Sequence, residues 1–324
     1  MLSRRTLLAG SAVVALGGSR RPALAQPWPN RFVKLIVPFP PGGGTDAVGR
    51  VVSTRLAEIW GQQIIIENRG GAGSNIGAEA AARSEPDGYT MFFAALPFAI
   101  NRFIYASLPY DCFTDFAPVS LLCTFPNVMV VPNSSPAKTV AEFIAHAKES
   151  KGRINFASSG IGTSPHLCGE LFKRMANIEM THVPYRGAGP ALTDVMAGRV
   201  EMMFNTIGAL LTQVRAGQIR GLAVSSIERV ETAAELPTVA ESGVPGFDVS
   251  AWYALLVPAR TPPEIVRKMN ADVRTALDDT NVKKKLNDLG VVVKGSTPEE
   301  FSRMLRAEAD KWGPVIKSAG IAAQ

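Results

Sequence analysis

Three times in this chain a short apolar run leads into a turn of glycine and small hydroxylated residues, and then into a helical pattern. Residues 32–37 precede Pro38-Phe39-Pro40-Pro41-Gly42-Gly43-Gly44-Thr45-Asp46 and a helix over 47–60. Residues 154–157 precede Ser158-Ser159-Gly160-Ile161-Gly162-Thr163-Ser164-Pro165-His166, where Pro165 marks the first turn of the next helix. Residues 181–183 precede Tyr185-Arg186-Gly187-Ala188-Gly189-Pro190. Further strands are expected at 63–67, 89–94, 128–131, 201–204 and 221–225, with helical segments between them. A chain that alternates in this way folds as an α/β protein with parallel sheets and helices on both faces.

The turns also carry the chemistry. Consecutive glycines bring backbone N–H groups close to a ligand with no side chain in the way. The helix that follows adds its free N–H groups and the positive end of its dipole. Thr45 and Asp46 are good N-cap types, so capping the helix is the plainer role for both. The second turn supplies hydroxyls and amides but no cation. Such turns suit a small anion held by neutral donors.

Several enzyme classes lack their parts here. A P-loop needs a lysine at the helix start, and none of the three turns has one there. Gly71, Gly73 and Gly77 miss the dinucleotide spacing, and no serine centres a Gly-x-Ser-x-Gly elbow. His166 and His182 lie near the glycine turns but have no identifiable nucleophile or orienting acid, so both read as structural histidines. The three histidines are scattered and no two cysteines have zinc-like spacing, so no metal site, cofactor or catalytic residue is assigned.

The N-terminus has the layout of a secretory signal: Arg4-Arg5, an apolar run, Arg20-Arg21 and then Ala23-Leu24-Ala25 as a cleavage site. Residues 1–25 are therefore expected to be removed on export to the periplasm. Twin arginines before Thr6-Leu7-Leu8 favour a Tat signal, with Sec as the alternative. Losing four arginines and no acid takes the formal charge from +6 to +2, so the basic balance is no argument for nucleic acid. Lys283-Lys284-Lys285 sits near Asp278, Asp279 and Asp288 and reads as a solvated helix face. After cleavage about 300 residues remain, which suits two lobes better than one core. Cys112 and Cys123 are close enough in sequence to pair in an oxidising compartment, although spacing alone does not establish it.

Helix starts are legible at Thr139, Thr261 and Thr297, each followed three residues later by a glutamate, with Pro262 and Pro298 at first helical positions. Phe301, Met304, Leu305, Trp312 and Ile316 fall on one face of the last helix and read as core.

The sequence resembles the Bug (TctC-type) family, the periplasmic binding components of tripartite tricarboxylate transporters. The likeness runs through the Pro38-to-Asp46 turn, Glu67-Asn68-Arg69, Pro86-Asp87-Gly88-Tyr89-Thr90 and Leu108-Pro109-Tyr110-Asp111. It continues through Ser158 to His166, His182-Val183-Pro184-Tyr185-Arg186-Gly187, Leu236-Pro237-Thr238-Val239 and Pro245-Gly246-Phe247. Ser250-Ala251-Trp252-Tyr253, Thr297-Pro298-Glu299-Glu300-Phe301 and Trp312 complete it. The resemblance implies a type 2 periplasmic-binding-protein fold, two α/β lobes with a ligand cleft between them. Lobe 1 would take 26–125 plus 249–324 and lobe 2 would take 126–248.

It further implies a monomer that captures a small carboxylate by lobe closure and delivers it to membrane transporter subunits. Carried over residue by residue, the binders would be Phe39, Gly43, Thr45, Asp46, Ser158, Ser159, Gly160, Thr163, Ser164 and Tyr185. Asn205 stands where relatives often have aspartate, and would change what the cleft offers the far end of the ligand. Gly70 and Ser74 also depart from the family pattern, without consequence for the fold. The rival readings are a ligand-sensing partner of a membrane receptor or kinase, and an enzyme on a related scaffold.

Overall fold

The structure, a computed structural model, describes residues 28–185 and 187–322. The expected signal segment and Arg186 lie outside the described residues. The first half alternates β1 (Val33–Val37), α1 (Gly44–Trp60), β2 (Ile64–Asn68), α2 (Asn75–Ala82), β3 (Thr90–Ala95) and α3 (Leu96–Ile104). A long strand, β4 (Phe116–Val131), and α4 (Val140–Glu149) lead into β5 (Ile154–Ser158), α5 (Ser164–Met175), β6 (Met180–Pro184) and α6 (Ala188–Met196). β7 (Met202–Thr206), α7 (Ile207–Arg215) and β8 (Arg220–Val224) complete that half. The chain returns through β9 (Ser250–Pro258), α8 (Pro263–Asp278), α9 (Thr280–Asp288), β10 (Val292–Val293) and α10 (Pro298–Ser318).

The strands lie in the order β2-β1-β3-β9-β4-β7-β5-β6, with β8 and β10 also paired to β4. Parallel pairing, the expectation, holds within β1–β2–β3 and within β5–β6–β7. The two groups are joined by antiparallel strands, which corrects the purely parallel reading: β9 runs antiparallel to both β3 and β4, and β4 antiparallel to β7 and β8. β4 changes partners along its length. It pairs with β9 from Phe116 to Pro126 and with β7 from Asn127 to Val130.

Adjacent residues on the central strands alternate between two apolar clusters, one on each face, as the period of two requires. Phe92, Met129, Met202 and Trp252 belong to one cluster, and Phe93, Val130, Met203 and Tyr253 to the other. The stripe on α10 behaves as expected, with Phe301, Leu305, Trp312 and Ile316 buried and Met304 packed at the margin.

Thr139 and Thr297 accept from Glu142 and Glu300 N–H, and Thr297 forms the full capping box. Thr261 does not cap α8. Its hydroxyl donates to the Pro258 carbonyl at 2.7 Å, and Pro262 takes the N-cap position instead of the first helical one. The basic run on α9 is a paired surface, with Lys283 on Asp278 and Lys284 on Asp288. Cys112 and Cys123 are not bonded: they are buried in the clusters on opposite faces of the sheet, with the sheet between them. No helix among the described residues is long and apolar enough to cross a membrane.

Candidate functional site

Strands β1, β3, β5, β6 and β7 each lead at their carboxyl end into a helix, the place where open α/β sheets bind ligands. The helices that follow, α1, α3, α5, α6 and α7, have no side-chain hydrogen bond capping their N-termini. Of the helices that do not follow these strands, α4, α9 and α10 are capped by Thr139, Asp279 and Thr297, while α2 and α8 also have no side-chain cap. The uncapped helices leave their first N–H groups available for another acceptor.

The start of α1 lines a cavity of about 310 Å³ together with Phe125 of β4, Tyr253 of β9, the first turn of α7 and residues 288–291 at the end of α9. That volume lies near the lower end of ordinary small-molecule sites. A larger cavity, about 610 Å³, is walled by residues 226–232, Asp248 and Lys294 and is reached by none of the three glycine turns. The smaller one joins an uncapped helix start from each half of the chain to both crossing strands, and its chemistry is the more specific.

The local sequence explains how the first turn is held. Gly42 has φ +85°, a conformation glycine adopts readily. Asp46, in the first turn of α1, accepts from Gly42 N–H at 3.0 Å, from Asn68 Nδ2 at 3.0 Å and from Arg50 Nε at 2.8 Å. Asn68 also donates to the Phe39 carbonyl, which fixes the other end of the turn. The Arg50 guanidinium, helped by Gly42 and Asn68, holds the Asp46 carboxyl down at about 2. Asp46 is thus an anchor of the turn, its oxygens already occupied. Thr45 donates to the Tyr253 hydroxyl at 3.0 Å. Burial pushes the Tyr253 hydroxyl far above its ordinary range, so it remains a protonated donor.

The second turn is braced by imidazoles. His166 and His182 stack with ring centroids 3.7 Å apart and planes 11° from parallel. Gly162 N–H donates to His166 Nδ1 at 3.1 Å, and the Ser158 hydroxyl lies 2.7 Å from His182 Nε2. Burial lowers His166 to about 3, with His182 and Lys173 adding to it, and lowers His182 to about 4 with help from Lys173. Both rings are neutral at neutral pH. Ser158 is fully buried and bonds to both the N–H and the carbonyl of Gly160, so its hydroxyl shapes the turn. Thr163 donates to the Gly160 carbonyl at 2.7 Å, and Ser164 accepts from Asn127 Nδ2 at 2.8 Å. Ser159 and Gly160 are half-buried. In the third turn the Tyr185 hydroxyl donates to Asp194 at 2.7 Å.

Of the sequence candidates, Gly43 lines the 310 Å³ cavity directly, Thr45 reaches it through Tyr253, and Asn205 immediately precedes lining residue Thr206. Phe39 packs against the cluster on the α1 face of the sheet, as does Tyr185. Ser158, Thr163 and Ser164 are tied into their own turn and to β4. Phe125, Tyr253 and the turn at Leu289-Gly290 also line the cavity, and no local sequence signal marks them for that role.

The sequence matches the family described as "Tripartite tricarboxylate transporter family receptor" over residues 48–321. It is 37% identical to the "UPF0065 protein in tcbD-tcbE intergenic region" of Pseudomonas sp. strain P51, covering 97% of this chain and 94% of that one. Protein BugT of Bordetella pertussis is 33% identical, with 95% of each chain covered. Among solved structures, "R. palustris Rpa4515 with adipate" superposes with a TM-score of 0.83 at 38% identity, covering 91% of this chain and 100% of that one. MatC from Rhodopseudomonas palustris with bound malate gives 0.78 at 33% identity, covering 89% and 100%.

Proposed function

The chain belongs to the tripartite tricarboxylate transporter receptor family and is a solute-binding protein, and we propose that it captures a small carboxylate at the start of α1 and hands it to membrane transporter subunits. One observation carries the ligand class. The uncapped start of α1 borders a cavity whose lining includes Tyr253 as a neutral donor, one acid, Asp288, which Lys284 holds, and no lysine, arginine or histidine. Preset amides and hydroxyls at a positive helix end suit an ionised oxygen, and hydrogen bonds to charged groups contribute about 1.5–3 kcal/mol each. The solved relatives at 38% and 33% identity carry adipate and malate, both carboxylates.

Capture proceeds by closure of two lobes, 26–125 with 249–324 and 126–248, about the crossing strands β4 and β9. This division is supported by the switch of β4 from β9 to β7 at Pro126/Asn127, and by the start of β9 at Ser250. Phe39, Gly43 and Thr45 contribute from the first lobe, and Ser159, Gly160, Thr163 and Tyr185 from the second. Asp46, Ser158 and Ser164 shape the turns, while Asn205 faces the ligand's far end. The protein acts as a monomer in the periplasm, exported by residues 1–25 through Tat, with Sec as the alternative. No bond is made or broken: the Ser158–His182 contact resembles half of a hydrolase dyad, but Ser158 is fully buried and committed to Gly160.

A thermal-shift panel of small carboxylic acids, each paired with its primary amide, tests the ligand class. At least one acid should raise the melting temperature, and its amide should not. An amide that stabilises as well as its acid would remove the basis for an anion site.

A further inference from the structure

We infer that Arg102 and Arg306, stacked on the ring of Phe113 beside exposed Phe103, form the surface on which an acidic, apolar-tipped segment of a membrane transporter subunit docks. The inference rests on the hand-over to transporter subunits proposed above and adds the place and chemistry of the contact. None of the four residues lines the 310 Å³ cavity.

The two guanidiniums arrive from different helices. Arg102 lies in the last turn of α3 and Arg306 within α10. The ring of Phe113, just before β4, meets both, with Arg102 Cζ 5.0 Å and Arg306 Cζ 4.7 Å from its centroid. Both arginines are exposed. Arg50, Arg199, Arg215 and Arg229 each meet a carboxylate, whereas Arg102 and Arg306 meet none among the described residues. Two like charges held on one ring lie within about one Debye length of each other and repel. The aromatic face offsets part of that cost. A carboxylate brought up to both would relieve the repulsion and take paired N–H bonds from the guanidinium forks. The dipole of α3 accounts for a cation at its end, but not for Arg306.

Phe103 supplies the apolar part. It is 41% exposed, Arg102 lies 5.8 Å from its ring, and it packs on α10 at Gly313, where a Cβ would lie 3.0 Å from Cζ. Exposed aromatics flanked by arginine have the composition of an interface centre. The next residue, Ile104, lies against the second glycine turn: a Cβ on Gly162 would be 2.9 Å from its Cδ1. In the lobe division proposed above that turn belongs to the other lobe, so a partner seated on Phe103 sits beside a contact between the lobes. The occupant is a protein segment and not a bilayer. Anionic lipid is recognised by clusters of about 4–8 basic residues. Here exposed Asp111 flanks Phe113, and exposed Asp310 follows Arg306 by one helical turn. A broad negative surface would meet those acids too, and a single acidic segment need not.

The test is biolayer interferometry of the mature full-length chain on phosphatidylcholine nanodiscs carrying the tripartite transporter's membrane subunits from the same cell, with adipate, malate or no acid present. Wild type should bind, more weakly as salt rises. Arg102→Glu/Arg306→Glu should bind about tenfold or more weaker, the size of one hydrogen bond to a charged group. Its melting temperature, and the rise in it that a bound carboxylate gives, should match wild type. Should that variant fail to fold, Arg102→Gln/Arg306→Gln decides. A folded variant that binds the loaded discs as wild type does overturns the inference and leaves the hand-over standing. Equal binding of wild type to empty discs containing phosphatidylglycerol assigns the patch to lipid and overturns it as well. Wild type that binds no disc overturns this inference and the hand-over together, while the thermal-shift panel still judges capture.

Discussion

The Thr45 hydroxyl donates to the Tyr253 hydroxyl at 3.0 Å, across 208 residues of sequence. It ties the first turn of α1 to β9, the second strand that crosses the molecule, and it does so at the cavity wall. Tyr253→Phe should leave the buried Thr45 donor unpaired and lower stability by about 1–3 kcal/mol. Adding Thr45→Val removes the orphan, so the double variant should recover much of that loss. Ligand affinity should fall about tenfold in both, because the cavity has lost a donor either way. A chemical-denaturation cycle read beside calorimetry checks this. Full recovery of binding in the double variant would make the pair structural only.

Asp46 holds the glycine turn from inside the helix. Asp46→Asn should cost about 1 kcal/mol at neutral pH, since solvent around half-exposed Arg50 screens the ion pair. The carboxyl sits at about 2 in the folded protein against 3.8 ordinarily, so its contribution is complete above about 4. It is lost as pH falls from there through 2. Denaturation curves of wild type and Asp46→Asn should therefore converge over that acid range, and curves that stay parallel would show that the charge is not what anchors the turn.

Much of this was legible from sequence because local chemistry dictates it. Gly42 to Gly44 and Ser158 to Thr163 declared themselves as turns ahead of helices, and the α10 stripe declared its buried face. What was not legible depends on distance. The sequence pattern predicts a strand only over 128–131, yet β4 starts at Phe116 and runs through Pro118 and Pro126, with a register shift just after Pro118. The segment Thr206-Ile207-Gly208 has no glycine run to advertise it, and its neighbour Leu289-Gly290 is some eighty residues further along the chain. The His166–His182 stack was likewise invisible: the second ring arrives from the next strand. Asn205 was suspected from the resemblance alone, and only the burial of Nδ2 reveals the unpaired donor.

That stack makes stability depend on mild acid. Both histidines have folded values below the ordinary 6.5, about 3 and about 4, so the unfolded chain binds more protons between those values and 6.5. Their contribution is complete above 6.5 and declines as pH falls. The slope should approach about 3 kcal/mol per pH unit while both titrate in the unfolded chain alone. Lys173 raises the cost of protonation, and Glu170, which lies 4.0 Å from His166 but is paired with Lys173, moderates it little. Stability at pH 5 should thus fall well below that at pH 7, and His182→Gln should flatten the profile by about half. An unchanged profile in that variant would assign the acid sensitivity elsewhere.

Gly208 and Gly290 decide how closely α7 approaches the turn after α9. A Cβ on Gly208 would lie 2.7 Å from the Leu289 carbonyl oxygen, and one on Gly290 would lie 2.9 Å from Ile207 Cγ2 and 3.2 Å from Gly208 N. Backbone on both sides cannot yield as a flexible side chain would, so overpacking of about 1–3 kcal/mol is expected at Gly208. Alanine is the better helix former by about 1 kcal/mol, which offsets part of that cost. Gly208→Ala should therefore lower the melting temperature only slightly. Gly290→Ala adds an unfavourable φ of +74° and should lower it more. Binding should respond differently from stability. Both residues line the 310 Å³ cavity, so forcing the helix off the turn widens it and moves the α7 amides away from the ligand. Affinity for the tightest carboxylate should drop about tenfold in Gly208→Ala, more than the small loss of stability would suggest. Thr275→Ala, on the exposed face of α8 and away from the cavity lining, is the control and should leave affinity unchanged. If Gly208→Ala binds as tightly as that control, the close approach of α7 to Leu289 does not set the width of the site.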